Sequence, residues 1–553
     1  MKQAMPDLDR IPLVPELLVA LREGYPAGAW RHDLLAGLTV AIVALPLSMA
    51  IAIASGVPPE RGLFTAIAGG FLVSAMGGSR FQIGGPAGAF IVLVAATVAE
   101  HGLDGLVLAT LISGLMLVAL GWLRLGRYIT FIPYPVTVGF TAGIGVIIFV
   151  SQIGDLLGLP PASAAHGGLA ARLASIWQNL PQASPAAIAL SAGTVLVILG
   201  LKRFRPGWPG MIIAIMLAAV AAAALSLPVE TIGTRFGGIP RSLPVPSLPE
   251  FSVAKIVAVL PSAIAFTLLG AIESLLSAVV ADGMSGRRHR SDAELVGQGI
   301  ANVGSALFGG FCVTGTIART ATNVRAGAVS PLSGMAHALF LLAFMALAAP
   351  LAAYVPLAAL AGVLVIVAWN MVEKHAIAAL VRSSRGDAAV LAVTLLLVIF
   401  RDLTEAILVG FALGALLFID RMGRMTGVSP LHPHDDAPDM GADPQIVTYR
   451  ISGAFFFGAA STVGTVLDRI ADKHKVFILD FSEVALLDST AANVIEGALR
   501  KAERAGVRMI VSETRPQVVH MLKSHGVKPP RAEFVGDMAA ARERAHEYLQ
   551  PSD

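Results

Sequence analysis

Two apolar stretches of the chain are interrupted at their start by glycine, proline and other small residues. The first interruption, at 83–90, reads Ile-Gly-Gly-Pro-Ala-Gly-Ala-Phe, and the second, at 311–318, reads Phe-Cys-Val-Thr-Gly-Thr-Ile-Ala. A break at membrane depth leaves backbone N–H groups unpaired unless the backbone packs in protein or lines a polar cavity. Paired breaks of this kind are typical of transporters built from inverted repeats, which hold substrate between two half-helices. We therefore expect a binding cavity between the two segments.

A single carboxylate lies in the middle of another apolar stretch. Glu273 is the only charged residue between Lys255 and Asp282. A carboxylate at mid-span costs about 3 kcal/mol on insertion scales, so it normally faces a cavity and serves a proton or cation pathway. Because burial disfavours the ionised form, such a group can take up and release a proton during transport. The alternative is a structural carboxylate that pairs with a neighbouring helix.

An arginine follows the second interruption. Arg319 falls in the first turn of the helix that begins there, where the helix terminus itself carries roughly half a positive charge. Together they favour an anion as substrate. Arg319 could instead pair with Glu273, which would leave the site to the backbone amides. Arg325 is expected near the C-terminal end of the same helix, and His337 in a hydrogen-bonded packing role rather than a proton relay.

The composition places these residues in a membrane. The 553 residues are 55% hydrophobic and 14% charged, and the mean hydropathy is +0.74. Uncharged runs such as 34–59, 105–123 and 326–372 are long enough to cross a bilayer, and they predict about 14 spans. The positive-inside rule then places both termini in the cytoplasm, and we expect no cleavable signal peptide.

Several other classes of function are disfavoured by composition. The formal charge of +3 is spread over the loops, so no nucleic-acid partner is expected. The single cysteine, Cys312, excludes an intramolecular disulfide framework and a cysteine-ligated metal cluster. We expect a transporter rather than an enzyme, with no cofactor and no metal site.

The chain divides into a membrane part and a small α/β part. We expect an N-terminal cytoplasmic segment over 1–32, a membrane domain over 33–424 and a polar linker over 425–443. The membrane domain would contain repeats at about 33–229 and 255–424. Over 444–553, strand patterns at 446–451, 476–481 and 507–511 alternate with helical patterns at 459–471 and 489–505, which predicts a soluble α/β domain.

Five ordered motifs make the chain resemble the SulP anion-transporter family over nearly its whole length. The first is Ala-Leu-Pro-Leu-Ser-Met-Ala at 44–50, and the second runs from Gly77 to Phe90. The others lie at 272–283, 314–325 and, in the tail, 479–489. The resemblance implies a seven-plus-seven inverted repeat with core and gate domains, a C-terminal STAS domain, a homodimer and an elevator-like movement. It also implies a small anion as substrate: sulfate, bicarbonate, oxalate, chloride or a C4-dicarboxylate.

The resemblance also implies a substrate site between the starts of the third and tenth spans. The implied binding residues are Leu47, Ile51, Ala87, Gly88, Gly315, Thr316 and Ile317, to which the reasoning above adds Arg319. Glu273 and Ser277 stand at the implied coupling positions. In the sodium-coupled bicarbonate branch, the resemblance implies Asp and Thr at these two positions. That difference favours protons over sodium. Ala87 stands where many relatives have threonine, so a hydroxyl is missing here.

The STAS resemblance draws attention to Ser489. It matches the helix-start position that related anti-sigma antagonist domains phosphorylate, which would make it a regulatory site. It is also an ordinary candidate for the helix N-cap, which is the interpretation we favour from the sequence. A soluble partner of this domain is a further possibility.

These observations predict a multi-pass carrier of the bacterial inner membrane, with the STAS domain in the cytoplasm. The predicted activity is proton-coupled symport of a small anion, with sulfate as first choice, then bicarbonate or a C4-dicarboxylate. The alternatives are an exchanger, a sodium-coupled bicarbonate symporter, an anion channel with the same amide-lined site as its filter, or a sensor that reports anion occupancy. The sequence does not choose among the anions.

Overall fold

The structure, a computed structural model, describes residues 13–26, 28–126, 133–160, 169–401, 403–430, 443–457, 459–460 and 474–550. These residues form two compact units, Met1–Phe411 and Ala412–Asp553. The first is helical except for two very short strands, and the second contains a five-stranded sheet. The expectation of a mainly helical membrane protein with a small α/β domain is confirmed.

The first half of the helical unit contains ten α-helices within its described residues. They are α1 (Glu16–Arg22), α2 (Ala29–Ala54), α3 (Pro59–Phe64), α4 (Gly70–Met76), α5 (Ile91–Trp122), α6 (Tyr134–Leu157), α7 (Leu169–Asn179), α8 (Pro185–Phe204), α9 (Gly210–Ala224) and α10 (Ile232–Phe236). Strand β1 (Gly84–Gly85) and a 3₁₀ turn (Gly88–Phe90) lie between α4 and α5. Gly102, at φ +69°, breaks α5 into two parts, and the second part corresponds to the uncharged run at 105–123. Glycine tolerates that left-handed conformation without a steric penalty.

The second half repeats much of this order. It contains α11 (Val253–Ser285), α12 (Ser291–Leu307), β2 (Thr314–Gly315), α13 (Ile317–Arg325), α14 (Leu332–Ala352), α15 (Leu357–Met371), α16 (Lys374–Ser383), α17 (Arg385–Phe400) and α18 (Leu403–Arg424). The side chain of Ser252 caps the start of α11, and Gly286, at φ +73°, ends the helix. In each half a two-residue strand precedes an interrupted helix, as an inverted repeat requires.

Eight helices in the described part of the chain are long and apolar enough to cross a membrane. The sequence predicts more spans because it also counts shorter and interrupted segments. Helix α9 has only 15 residues, and α13 has nine. Helices of these lengths fall below the ~20 residues that one continuous span requires.

The second unit is an α/β domain whose sheet has the order β3-β4-β5-β6-β7. Its elements are β3 (Gly427–Pro430), β4 (Ile446–Phe455), β5 (Val476–Leu487), α19 (Ser489–Arg504), β6 (Arg508–Ser512), α20 (Pro516–Ser524), β7 (Ala532–Val535) and α21 (Met538–Leu549). The strand β3 is antiparallel to β4, and the other neighbouring strands are parallel.

One sequence expectation changes here. Residues 427–430, assigned to the linker, form an edge strand because Gly427 to Pro430 pair in register with Ser452 to Tyr449. Apart from residues 459 and 460, which are helical, the predicted helix at 459–471 lies outside the described residues, as does the linker over 431–442. The proposed boundaries at 424 and 444 therefore stay a prediction.

Candidate functional site

The two interrupted segments meet. Gly84 pairs with Gly315 and Gly85 with Thr314 in a short antiparallel ladder, and the Thr316 amide donates to Ile83 O at 3.1 Å. An antiparallel pair is symmetric about a two-fold axis, so this ladder joins the two halves in the manner an inverted repeat predicts. We call this pair the crossing.

Glycine makes room at the crossing for two buried polar side chains. A Cβ atom at Gly315 would lie 1.9 Å from Gln82 Nε2, and one at Gly85 would lie 1.8 Å from Arg319 Nη1. Either Cβ would displace the side chain that it meets. Gly315, expected to contact substrate, thus makes room for Gln82 and does not line the cavity described below.

Both half-helices begin just after the crossing with uncapped amides. Ala87 and Thr316, the residues before the first turns, are extended, and among the described residues no side chain caps either start. The first N–H groups of a helix have no partner within the helix and carry partial positive charge. Two such groups of donors therefore flank one region of the protein.

A cavity of about 350 Å³ opens at this region. Eight of the ten residues that the sequence assigned to binding and coupling line it: Leu47, Ile51, Ala87, Gly88, Glu273, Thr316, Ile317 and Arg319. Gly315 and Ser277 do not. Ser277 Oγ instead donates to Thr320 Oγ1 at 3.0 Å, which ties α11 to α13.

Arg319 is almost fully buried, with 2% of its surface exposed. Its Nη2 donates to Ser48 Oγ and to Pro86 O, each at 3.2 Å. Its Nε and Nη1 are buried without a hydrogen-bond partner in the described part of the chain. An unpaired buried donor costs about 1–3 kcal/mol, more when charged, so the guanidinium is held at the cavity without its charge being neutralised.

Glu273 reaches the same cavity from the middle of α11. It is 8% exposed, and no hydrogen bond or ion pair joins it to another described residue. In particular, Arg319 and Glu273 do not form the ion pair that the sequence left open. Arg319 and Glu273 thus line the same cavity without forming an ion pair, and each can interact with a bound substrate.

The opposite wall comes from residues that the sequence did not identify. Helices α6, α9 and α15 contribute Met211, Val367, Met371 and two polar groups, Thr141 and Asn370, and Glu373 follows α15. On the side of α2 and α13, the sequence also did not identify Val40, Val43, Pro86, Ala89, Ala318 and Thr322. The polar pair Asn370 and Glu373 after a long apolar run was a usable signal in the sequence.

Other sequence candidates fall outside the cavity lining. Arg325 is exposed at the last residue of α13, as expected. His337 is fully buried, but neither ring nitrogen has a hydrogen-bond partner among the described residues, so the predicted hydrogen-bonded role is not found. Ser489 is exposed as the first residue of α19, and it is not the N-cap. Asp488 is the cap, because its Oδ1 accepts from Ala491 N at 2.8 Å.

Known families match both units. The profile of the sulfate permease family matches residues 30–394, and that of the STAS domain matches residues 437–530. Murine solute carrier 26 family member A9, an anion transporter solved in an inward-facing state, superposes with a TM-score of 0.87 at 18% identity over 98% of this chain and 96% of that one. At this identity the likeness concerns the fold alone.

Two relatives share more of the sequence. The putative sulfate transporter YvdB of Bacillus subtilis is 38% identical, over 91% of this chain and 95% of that protein. The bicarbonate transporter BicA of a Picosynechococcus species is 30% identical, over 85% and 86%. With its two interrupted helices, its cavity and its C-terminal α/β domain, the chain belongs to the sulfate permease family and carries a STAS domain.

Proposed function

We propose that this protein is a secondary active carrier that moves a small anion together with a proton. The observation that carries the proposal is the cavity of about 350 Å³ in which two half-helix starts, Arg319 and Glu273 come together. This volume lies at the lower end of small-molecule sites. It suits a small inorganic anion or a short dicarboxylate.

Sulfate is the first candidate for the anion, followed by bicarbonate and C4-dicarboxylates. The relatives support this order, since the one with 38% identity is named as a putative sulfate transporter and the one with 30% as a bicarbonate transporter. Helix N-termini accommodate both sulfate and carboxylate groups. The choice among the anions therefore needs a transport measurement.

Proton coupling follows from the charges that line the cavity. With Glu273 ionised, its charge offsets that of Arg319, and a bound anion adds uncompensated negative charge. Moving such charge into low-polarity surroundings costs several kcal/mol per ion. Protonation of Glu273 removes one negative charge, so the loaded site can cross the membrane at lower energy.

Sodium is the less favoured coupling ion. A sodium site needs several oxygen ligands together, and Ser277, one turn after Glu273 on α11, does not line the cavity but is hydrogen-bonded to Thr320. Ser277 therefore supports the coupling region structurally in this proposal. Protonation of Glu273 needs no such ligand set.

The two walls of the cavity support an elevator-like movement. One wall comes from α2, residues 86–89, α11 and the start of α13, and the other comes from α6, α9 and α15. These sets match the core and gate domains that the family resemblance implies. In the proposed cycle the first wall carries the anion and slides against the second.

The remaining parts of the proposal concern the cellular setting. We place the carrier in the bacterial inner membrane as a homodimer, with both termini and the STAS domain in the cytoplasm. Ser489 is exposed and available for modification, or for contact with a soluble partner. A phosphate there would sit at the positive end of α19, which is electrostatically favourable.

Uptake by the purified protein in liposomes tests the function. We expect labelled sulfate, bicarbonate or succinate to accumulate in a saturable manner when the outside is acidic, and not in protein-free liposomes. Replacing sodium with potassium is expected to leave the rate unchanged. Sodium-dependent uptake would contradict proton coupling, and large unitary currents in planar bilayers would indicate a channel.

A carboxylate at the mouth of the cavity is expected to slow anion capture. Glu373 lines the cavity and is exposed to solvent, so it repels an approaching anion. Glu373→Gln should raise the initial uptake rate about two- to fivefold at low ionic strength, and the gain should fade near 0.15 M salt as screening increases. The measurement is the initial rate at subsaturating anion over a series of salt concentrations.

Glu250→Gln is the matched control for that experiment. Glu250 is exposed as well, with 85% of its side chain accessible, and it pairs with Lys255 away from the cavity lining. Its replacement should leave the rate unchanged at every salt concentration. Equal gains in both variants would mean that overall charge, and not the position of Glu373, controls capture.

A further inference from the structure

Helix α12 carries a line of buried polar side chains. Glu294, Gln298, Asn302 and Ser305 follow one another at intervals of three or four residues, so they share one face of the helix. All four are at most 2% exposed, and none lines the cavity. Polar groups buried in a membrane domain are costly unless they are hydrogen-bonded. Their partners therefore indicate what this face does.

The first member of this line holds the segment that leads into β1. Glu294 Oε2 accepts from the backbone amides of Gly78 and Ser79 at 2.9 and 3.1 Å. Its Oε1 lies 2.8 Å from Gln82 Nε2, which donates to it. The Ser274 hydroxyl of α11 lies 3.1 Å from the same oxygen. Both carboxylate oxygens thus have hydrogen-bond partners in the segment before β1.

The other members hold the segment that leads into β2. Asn302 Nδ2 donates to Val313 O at 2.9 Å, and Val313 N donates to Asn302 Oδ1 at 3.0 Å. Gln298 Nε2 also donates to Val313 O, and Ser305 Oγ donates to Phe311 O at 2.7 Å. The two strands of the crossing are therefore tied to a single helix.

We propose that this face of α12 positions the two half-helix starts relative to each other. Glu294 and Asn302 are eight residues apart, about 12 Å along a helix. Glu294 is hydrogen-bonded to the segment before β1, and Asn302 to the segment before β2. The rigid helix fixes the spacing of the two segments, and so fixes the geometry of both sets of amide donors. Glu294 is thus a positioning residue that acts on the anion through the crossing.

The consequence for anion affinity rests on the proposed function, whereas the positioning itself does not. Glu294→Gln keeps the shape of the side chain but turns one acceptor oxygen into an NH₂ donor. In either orientation that donor faces other donors, either the amides of Gly78 and Ser79 or the groups around Gln82. The variant therefore loses at least one hydrogen bond to the first segment, and so weakens the hold on that segment without creating a cavity.

Hydrogen exchange read by mass spectrometry tests the positioning directly. In Glu294→Gln we expect amides of 78–90 and 311–318 to exchange about tenfold faster than in the wild type, as loss of one or two hydrogen bonds implies. In uptake assays with sulfate, or whichever anion the wild type transports, the KM should rise about tenfold with a smaller change in the maximal rate.

Asp33→Asn is the matched control. Asp33 is 1% exposed and also accepts from several donors, including Val329 N at 2.7 Å, Ser330 Oγ at 2.6 Å and Tyr25 OH at 2.6 Å. It holds the loop before α14. Its replacement should speed exchange near 325–333 and leave both segments of the crossing, and the KM, unchanged.

Three outcomes decide the proposal. Wild-type exchange at both segments in Glu294→Gln, or equal acceleration in every helix of the unit, would overturn it. If Glu294→Gln does not fold, Ser305→Ala removes only the hydrogen bond to Phe311 and should speed exchange in 311–318 alone; unchanged exchange there would count against the proposal. A wild type that transports no anion would refute the proposed function, while the exchange data would still decide the positioning role.

Discussion

Replacing Arg319 with alanine is expected to weaken anion binding by about 1–3 kcal/mol, or roughly 5- to 150-fold, because a charged hydrogen-bond partner is lost. The guanidinium lines the cavity and has no carboxylate partner among the described residues. Its removal should not lower the melting temperature, since a buried charge with unpaired donors is itself unfavourable. The measurements are the KM for uptake and the anion-induced shift of the melting temperature.

Arg325→Ala is the control for this experiment, because Arg325 lies on the same helix but is exposed and does not line the cavity. It should bind the anion as the wild type does. Arg319→Lys keeps the charge but has fewer donors in a different geometry, so an intermediate affinity is expected. If Arg319→Ala binds with unaltered affinity, the backbone amides alone recognise the anion.

The crossing was predictable because its signal is local. Glycine and proline next to an apolar run break a helix wherever they occur, and a second break in the corresponding position suggests a repeat. The same reasoning placed Ala87, Gly88, Thr316 and Ile317 at the cavity. It could not distinguish Gly315, because whether a glycine contacts a ligand or a side chain from another segment depends on tertiary packing.

The far wall of the cavity was not predictable in the same way. Thr141 and Met211 lie on helices that read as ordinary apolar spans, and only packing shows that they face the crossing. Asn370 and Glu373 were more visible, since they end a long uncharged run, but the sequence does not say where that end lies in space. Spacing along one helix is a local property, whereas a shared cavity is not.

The buried polar face of α12 is also visible in the sequence. Glu294, Gln298 and Asn302 recur every four residues within a helix rich in glycine and alanine, and such spacing predicts a shared polar face. Glu273 is easily identified because it is the only charged residue in its apolar run, whereas Glu294 lies close to other polar residues. The structure shows that the less isolated carboxylate carries the denser hydrogen bonding.

Replacing Glu273 with glutamine is expected to abolish the pH dependence of transport. Glutamine resembles the protonated carboxyl in shape and charge, so the site is held permanently in its proton-loaded form. Wild-type uptake should rise as the outside is acidified, whereas Glu273→Gln should take up anion at a rate that does not change with pH. Accumulation driven by a pH gradient should be lost, while exchange of labelled for unlabelled anion across the membrane remains measurable.

Glu373→Gln is the control for proton coupling, because both carboxylates line the cavity but only Glu273 is buried within a span. The control should keep the pH dependence and alter only the capture rate. Persistent pH-driven accumulation in Glu273→Gln would eliminate Glu273 as the coupling group. Loss of binding together with coupling would show instead that its charge helps to hold the site open, as expected for a structural carboxylate.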